Sequence, residues 1–259
     1  PEPFTNLLCQ GMVLKDGGKM SKSVGNVVSP EEIVGKYGAD TARLFILFAA
    51  PPEKDLEWSD QGVEGSYRFL KRVWNIVGKY EDIQTEEKGK LSSEEFALRR
   101  KLHQTIKKVT EDLDGKFAFN TAISAIMELV NDMYRFIEAH ETIEASLSGE
   151  LVRNLLILLA PFVPHMTEEL WQSAGQKEES IHLAAWPACD ESALVVDEVE
   201  LAVQVNGKVR ATISVPVAMA REEIGEKAQA LPEIQKFTEG KTIVKVIVVP
   251  KRIVNIVVK

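Results

Sequence analysis

The sequence predicts a mainly α protein in which an antiparallel helical bundle is followed by a small α/β domain. Between residues 59 and 175, apolar residues recur at helical spacing in four or five stretches. After residue 198 they alternate with a period of two, which is typical of strands. A stretch rich in Gly, Pro and acidic residues separates the two patterns and predicts a linker. Amphipathic helices with short links bury their apolar stripes against one another, which favours a bundle.

The composition is that of a soluble globular protein. The chain has 259 residues, 45% of them hydrophobic and 27% charged, which is enough for two domains with real cores. No apolar run is long enough to span a bilayer, and the N-terminus has no signal-peptide pattern. Cys9 and Cys189 fit no metal or disulfide spacing. We therefore expect a cytoplasmic protein without a membrane partner.

The charge is unevenly distributed along the chain. The net charge of −8 argues against a general nucleic-acid binder. Residues 199–259, however, carry ten Lys and Arg against six Asp and Glu, whereas residues 1–198 carry twenty-one against thirty-three. A basic tail on an acidic body suggests that the tail meets a polyanion. A chance surplus of four charges on a small domain is an equally good explanation.

The N-terminal segment combines a predicted strand with a cationic loop. Residues 7–14 predict a strand, which a turn at Lys15–Gly18 follows. Lys19-Met20-Ser21-Lys22-Ser23, below called the KMSKS loop, comes next. Lysine is a compact charge on a mobile stem, so such a loop can fold over a polyanion. A solvated surface loop is the alternative interpretation of these five residues alone.

Helix signals follow the loop. Ser29 as the N-cap, Pro30 at the first position and Glu32 closing a capping box predict a short helix that Gly38 ends. Asp40 is predicted to cap a second helix from Thr41 to about Ala50. The bundle helices are predicted from Ser59 or Asp60 to about Tyr80, from Ser92 to about Leu113, from Asn120 as the cap to about Ala139, and from about Ser148 to Ala160, with a last turn from Thr167 through Trp171.

The C-terminal region predicts a domain of order ββααββ. Asn206-Gly207 between two alternating apolar runs is a strong hairpin signal. The predicted elements are strands at 201–205 and 209–215, helices at 221–230 and 233–237, and strands at 242–249 and 253–258.

No complete catalytic or metal site is evident from the residues. His165 and Glu168 would share a helical face, but no further ligand follows, so a capping or packing role is favoured over a metal. The sequence has no nucleophile elbow and no Gly-x-Gly-x-x-Gly motif.

Two segments nevertheless resemble the signature region of class I aminoacyl-tRNA synthetases of the leucyl, isoleucyl and valyl subgroup. They are residues 18–28, GKMSKSVGNVV, and residues 36–43, KYGADTAR. Within this subgroup, five segments are similar to bacterial leucyl-tRNA synthetases: residues 55–59, 62–65, 68–74, 204–210 and 248–258. The resemblance covers essentially the whole chain, as the C-terminal part of such an enzyme.

The resemblance implies four regions. Residues 1–58 would be the end of a Rossmann-type catalytic domain with the KMSKS loop and connecting helices. Residues 59–175 would be a bundle like an anticodon-binding domain, residues 176–198 a linker, and residues 199–259 a small α/β domain that binds tRNA.

It also implies an activity, leucine–tRNA ligation. ATP would be a substrate, with Mg²⁺ expected in the complete enzyme and no bound metal site in this chain. Lys19 and Lys22 would close over the ATP phosphates, with Lys22 the stronger candidate for the departing pyrophosphate. Ser21 and Ser23 would donate hydrogen bonds or fix the turn, and Met20 would anchor the loop.

Transfer RNA specific for leucine, tRNA(Leu), is the implied partner. The bundle would support the tRNA body, and the tail would contact its outer corner and long variable arm, mainly through the backbone. The candidate phosphate contacts are Arg68, Lys71, Arg72, Arg99, Arg100, Lys107, Lys108, Lys208, Arg210, Lys245, Lys251 and Arg252.

Three alternatives stay open. The family's first signature, His-Ile-Gly-His, does not occur in this sequence, and the chain opens without Met. We therefore expect the chain to need an N-terminal catalytic half, in the same chain or a separate subunit, and to be inactive alone. A non-catalytic tRNA-binding subunit is the second hypothesis, and isoleucyl or valyl specificity is the third, which the block at residues 55–59 disfavours.

Overall fold

Helices occupy most of residues 30–173, so the predicted fold class, a mainly α bundle with a small α/β domain, is confirmed. A computed structural model describes residues 3–5, 7–175, 179–195, 198–216, 219–249 and 252–259. The chain divides into two compact units, residues 1–194 and residues 195–259, each with its own apolar core.

The first unit contains seven α-helices and five short strands among its described residues. In chain order these are β1 Val13–Lys15, β2 Gly18–Lys19, α1 Pro30–Tyr37, α2 Ala39–Ala49, β3 Leu56–Glu57, α3 Asp60–Asp82, β4 Gln84–Glu86, α4 Ser93–Leu113, α5 Phe119–Ala139, β5 Thr142–Glu144, α6 Ala145–Leu159 and α7 Pro164–Ser173.

The core of this unit is built by α2 to α7. Ile76 of α3, Leu102 of α4 and Ile126 of α5 are completely buried, and Trp171 of α7 closes the same cluster. Full burial of one such aliphatic side chain contributes about 1.5–3 kcal/mol. The apolar stripes of the sequence therefore face one another, as the helical periodicity predicts.

Local capping signals predicted two helix starts correctly. The Ser59 hydroxyl accepts a hydrogen bond from Gly62 N at 3.1 Å and caps α3. Ser92 and Glu95 form a complete capping box at α4, where the sequence had indicated only a helix start.

One predicted cap is right in position only, and two are wrong. Ser29 is the N-cap of α1 and Pro30 begins that helix, as predicted, but no side-chain hydrogen bond caps the helix, so the predicted box with Glu32 does not form. Gly38, not Asp40, stands at the N-cap of α2, because the Asp40 carboxylate binds α7 instead. Ala118, not Asn120, precedes α5.

Two predicted bounds also differ. The strand predicted at residues 7–14 is reduced to Val13–Lys15, which pairs antiparallel with β2 and parallel with β3. The side chains of Leu7, Leu8 and Met12 are exposed. The helix predicted from about Ser148 begins at Ala145, because the Glu144 carboxylate caps it through Leu147 N.

The segment predicted as a linker is packed, over its described residues 179–194, against the bundle. Trp186 Nε1 donates to Thr110 Oγ1 of α4 at 2.9 Å. Asp190 N donates to His103 Nδ1 of the same helix at 3.0 Å. Side chains on α4 therefore hold this segment, which its own composition could not indicate.

The second unit has the predicted order ββααββ. Its elements are β6 Glu198–Val205, β7 Lys208–Pro216, α8 Arg221–Gln229, α9 Pro232–Thr238, β8 Ile243–Val249 and β9 Ile253–Val258. The strands form one sheet of order β7-β6-β9-β8, in which β6 and β9 are parallel and the outer pairs antiparallel. Buried residues of α8, α9 and the sheet form its core.

The predicted Asn-Gly turn joins β6 to β7. Asn206 and Gly207 both have positive φ, 48° and 78°, as a two-residue hairpin of this type requires. The Asn206 side chain also accepts from Val258 N at 3.0 Å and donates to Val258 O at 3.1 Å. The turn is thereby fixed to β9 as well. None of the described helices is long and apolar enough to cross a membrane.

Candidate functional site

The KMSKS loop begins at the second strand of a tight hairpin, which β1 and β2 form. β1 and β2 pair Leu14 with Lys19 and Lys15 with Gly18, so Asp16 and Gly17 form the turn, both with positive φ. Gly17 N donates to Glu57 Oε1 at 3.2 Å, which ties the tip of the hairpin to β3. The start of the loop is thus set by backbone pairing.

One side chain, Asn26, determines the conformation of the loop itself. Its Oδ1 accepts from Ser21 N at 2.8 Å, and its Nδ2 lies 3.1 Å from Lys15 O and 3.3 Å from Lys19 O. Three backbone groups of the loop and its hairpin therefore converge on one amide. Asparagine suits this position because its amide both donates and accepts.

Hydrogen bonds within the loop complete the turn. Val24 N and Gly25 N both donate to Ser21 O, at 3.1 and 3.0 Å. Ser21 Oγ and Ser23 Oγ lie 2.7 Å apart. Gly25 has a φ of 76°, in the region that favours glycine. The hydroxyls of the two serines thus contact each other within the turn.

The two lysines of the loop point into solvent. Lys19 and Lys22 are exposed, and within the described residues neither ammonium group has an ion-pair or hydrogen-bond partner. Met20 is half-buried. A fixed backbone with two unpaired cations can stabilise a polyphosphate, because the cations need not leave another partner first.

The segment that follows the loop is anchored to the bundle. The Asp40 carboxylate accepts from His165 Nδ1 at 2.8 Å and from Met166 N at 2.7 Å, at the N-terminus of α7. Arg43 donates to the carbonyls of Phe162 and Pro161, at 3.2 and 3.0 Å. Helix α2 thus satisfies backbone groups at the α6–α7 junction.

The predicted phosphate contacts on α3 are exposed and available. Arg68, Lys71 and Arg72 are all exposed. The Lys71 ammonium lies 4.6 Å from the Tyr67 ring centroid. Arg72 donates to Asn131 Oδ1 at 2.8 Å, and its guanidinium lies 4.9 Å from the Tyr134 ring centroid. No carboxylate among the described residues pairs with any of these three cations.

One further cation on the same helix was not among the predicted contacts. Lys79 is exposed, and its ammonium lies 5.5 Å from the ring centroid of Tyr134, the ring that Arg72 also contacts. Its spacing of seven residues from Arg72 is the signal that could have identified it, since residues i and i+7 share a helix face.

The predicted contacts on α4 differ, because three of the four have carboxylate partners. Arg99 binds Glu150 at 2.8 Å and Asp190 at 3.0 Å. The others pair as Lys107 with Glu191 and Lys108 with Asp112, at 3.1 and 2.6 Å. The guanidinium of Arg100 lies 5.1 Å from the Phe96 ring centroid, and its buried Nε has no hydrogen-bond partner among the described residues.

The ion pairs of α4 change the pKa values of their carboxylates. Burial opposes ionisation of Glu150, but hydrogen bonds from His103 and Arg99 outweigh it and lower the pKa of that carboxyl group. Hydrogen bonds from Ser192 and then Arg99 lower the pKa of Asp190 to about 2. These cations of α4 form ion pairs within the first unit. Their contact with RNA stays a prediction.

In the second unit, the described candidates lie on the sheet and its turns. Lys208, Lys245 and Arg252 are exposed. The Arg210 guanidinium lies 4.2 Å from the Phe237 ring centroid of α9. The predicted contact Lys251 lies outside the described residues.

The histidine prediction has a structural outcome. His165 binds Asp40, and the Glu168 carboxylate instead accepts from Ser180 Oγ and Ile181 N, at 2.8 and 3.0 Å. In the described part of the chain, no three His, Cys, Asp or Glu side chains are grouped so that they could hold a metal ion.

Comparisons with known proteins match these regions. Residues 95–224 match the family model described as the anticodon-binding domain of tRNA ligase. Residues 1–59 match the model of class I tRNA synthetases (I, L, M and V).

Two solved structures are similar to the chain. One is a ternary complex of the agnB2 LeuRS of Agrobacterium radiobacter K84 with tRNA and LeuAMS, with 34% identity and a TM-score of 0.69 over 100% of this chain and 33% of that one. The other is Mycobacterium tuberculosis methionyl-tRNA synthetase with methionyl-adenylate, with 23% identity and a TM-score of 0.53 over 64% of this chain and 38% of that one. The second likeness concerns the fold alone. This chain spans about a third of the length of the LeuRS chain.

Proposed function

The chain belongs to the class I aminoacyl-tRNA synthetases, which are ligases, and we propose that it is the C-terminal part of a leucyl-tRNA synthetase. It would supply the KMSKS loop and the tRNA-binding surfaces for ATP-dependent charging of tRNA(Leu), in the cytoplasm. The observation that supports leucine best is the 34% identity to a LeuRS over the whole of this chain.

The KMSKS loop would act on ATP. When leucine's carboxylate attacks the α-phosphorus, negative charge builds on the phosphates and pyrophosphate leaves. Lys19 and Lys22, both exposed and unpaired in the described structure, could neutralise that charge. Lys22 is the stronger candidate for the pyrophosphate. Mg²⁺ would arrive with ATP, and we assign no residue of this chain to hold it.

Asn26 would fix where those lysines stand. It joins Ser21 N to the carbonyls of Lys15 and Lys19 through one amide. A loop restrained in this way loses less conformational entropy when it closes on ATP than a free chain would. Serine hydroxyls and Gly25 support the turn, and Met20 would anchor it to apolar surface.

Binding of tRNA would use cations that have no internal carboxylate partner among the described residues. On α3 these are Arg68, Lys71 and Arg72, and in the second unit Lys208, Arg210, Lys245 and Arg252. Phosphate contacts position a nucleic acid and carry little sequence information, so these residues would recognise backbone and shape. Arg99, Lys107 and Lys108 already bind carboxylates, and we rank them below the α3 set.

A non-catalytic tRNA-binding subunit is the second candidate function. Two unpaired lysines on a loop fixed by Asn26 favour the enzyme, because a binding module has no need of an ATP-directed loop. In either case we expect a partner, the N-terminal catalytic half, as part of the same chain or as another subunit.

Amino-acid-dependent ATP–pyrophosphate exchange tests the proposal. A synthetase that contains this chain together with the catalytic half should exchange with leucine, and much less with isoleucine, valine or methionine. This chain alone should show no exchange. Exchange driven best by another of the four amino acids would contradict the leucine assignment while leaving the family intact.

A further inference from the structure

A cleft of about 710 Å³ opens between α2, α3 and α5 in the first unit. Its volume falls within the range of about 300–1,000 Å³ that small-molecule sites occupy. Phe45 and Phe69 are buried at 3% and 6% exposure and form its floor. Phe48 and Met127 are half-buried and form its walls. The inside of the cleft is therefore aromatic and apolar, which suits a flat ring.

The rim of the cleft carries two arginines. Arg68 and Arg72 both line it, one helical turn apart on α3. Arg72 is held in place by Asn131 Oδ1 at 2.8 Å and by the Tyr134 ring. Within the described residues neither guanidinium is paired with a carboxylate. The rim can thus bind an anion without first breaking an ion pair.

Two glycines of α3, Gly62 and Gly65, line the cleft. A Cβ on Gly62 would lie 2.7 Å from the Phe45 ring, so packing requires glycine there. A Cβ on Gly65 would meet no atom within 4 Å. Glycine within a helix is unfavourable compared with almost any other residue. Gly65 lines the cleft without a side chain, so a ligand can approach the helix backbone closely there.

Glu57 would determine the orientation of an occupant in the cleft. Glu57 is exposed and lines the same cleft, and its Oε1 accepts a hydrogen bond from Gly17 N. A phosphate next to this carboxylate would be repelled, whereas the exocyclic amino group of a base can donate to it. An occupant with a ring and a phosphate would therefore place its ring on the side of Glu57 and its phosphate on the side of the two arginines.

We propose that this cleft takes one unstacked nucleotide of the bound tRNA, with its base against the half-buried Phe48 ring and its phosphate on Arg68 and Arg72. The inference rests on the proposed function, because it takes tRNA as the ligand. Stacking of a base on aromatic side chains contributes about 1–3 kcal/mol, which corresponds to roughly 5- to 150-fold in affinity. Unpaired loop and end nucleotides are the parts of an RNA that can enter such a cleft.

A substitution that fills the cleft, compared with a matched substitution outside it, tests the proposal. Gly65→Leu puts a side chain into the cleft. Gly78→Leu is its matched control, because Gly78 lies on the same helix, an added Cβ there would also meet no atom within 4 Å, and it does not line the cleft. Both changes raise helix propensity, so both variants should melt at or above the wild-type temperature.

Binding of a tRNA(Leu) transcript to this chain is the main measurement. Gly65→Leu should lower affinity about tenfold or more, while Gly78→Leu stays within about twofold of wild type. Arg68→Ala should lower affinity and reduce the slope of log K against log salt by about 0.7–0.9, as expected for one lost phosphate contact. Gly65→Leu affinity within about twofold of wild type would overturn the proposal.

Chemical probing of the tRNA 2′-hydroxyls gives a second readout. The wild-type complex should show one unpaired nucleotide whose reactivity changes on binding, and that change should disappear in the Gly65→Leu complex but persist with Gly78→Leu. Identical reactivity profiles for all three complexes would also overturn the inference. Failure of the wild-type chain to bind the transcript would instead refute the proposed function and this inference together.

Discussion

The Asp40 carboxylate accepts a hydrogen bond from Met166 N at 2.7 Å, so a residue of α2 caps α7 across 126 positions of the chain. The same carboxylate binds His165 Nδ1 at 2.8 Å. The second helix after the KMSKS loop is thereby joined to the end of the bundle. This contact would connect the proposed ATP loop to the proposed tRNA-binding surface.

Replacing Asp40 should destabilise the first unit. Asp40 is 8% exposed, and Asp40→Ala leaves Met166 N at a helix start without its acceptor. We expect a loss of about 1–3 kcal/mol in the free energy of unfolding, measured by urea denaturation. Asp132→Ala is the control, because it breaks an exposed ion pair with Arg135, which is worth about 0–1 kcal/mol. Equal losses for the two variants would contradict the capping role.

Asn26 should control the order of the KMSKS loop. Asn26→Ala removes the acceptor of Ser21 N and both donations to the hairpin carbonyls. Loss of about 1–1.5 kcal/mol corresponds to roughly tenfold faster hydrogen exchange of the Ser21 amide. Asn26→Asp keeps the acceptor and should fall between, while Asn75→Ala, exposed on α3, should have no effect. Unchanged Ser21 exchange in Asn26→Ala would show that the backbone alone holds the loop.

Lys22 should matter for the chemical step in the complete synthetase. Lys22→Ala should slow leucine-dependent ATP–pyrophosphate exchange roughly a hundredfold, which is about 2.7 kcal/mol in the barrier. Lys54→Ala, an exposed lysine outside the loop, serves as the control. Exchange at the wild-type rate in Lys22→Ala would rule out the assigned role for this residue.

Acid should weaken the attachment of residues 190–192 to α4. The pKa of Asp190 is lowered to about 2, so its stabilising contribution is present above the unfolded-state value of about 3.9 and is lost as the pH falls from about 4 towards 2. Asp190→Asn should flatten the dependence of unfolding free energy on pH in that window. An Asp190 carboxyl signal that titrates near pH 4 in NMR would contradict the contacts of Asp190 with Ser192 and Arg99.

The parts of the fold that the sequence could predict are those set by local patterns. Helical periodicity located α3 to α6, and the Asn206-Gly207 pair located the hairpin of the second unit. Both depend on residues within a few positions of each other, so one sequence is enough to detect them.

The prediction errors arose mainly where a side chain binds a residue that is distant in the sequence. Asp40 and Asn120 have the composition of N-caps, but Asp40 binds α7, and α5 begins one residue before Asn120. The acidic stretch near Asp190 was predicted as a linker because its partners, Arg99 and His103, lie about ninety positions earlier. No local pattern carries that information.

The charged residues of the candidate site could be predicted from the sequence, whereas the hydrogen bonds that hold them in place could not. Lys19 and Lys22 were identified from the motif, whereas the hydrogen bonds of Asn26 and the Glu57–Gly17 contact require the hairpin geometry. The α3 and α4 cations looked alike in sequence. Only the folded chain distinguishes Arg72, which has no carboxylate partner in the described structure, from Arg99, which has two.

Binding of this chain to tRNA(Leu) across a salt series tests whether the cations on α3 and in the second unit contact the RNA backbone. Contacts to about four phosphates predict an affinity that falls about a hundredfold between about 50 and 200 mM KCl, and that is weaker for a tRNA(Leu) without its long variable arm. An affinity that stays flat over this range, or that is the same with and without the arm, would contradict the proposed tRNA contacts.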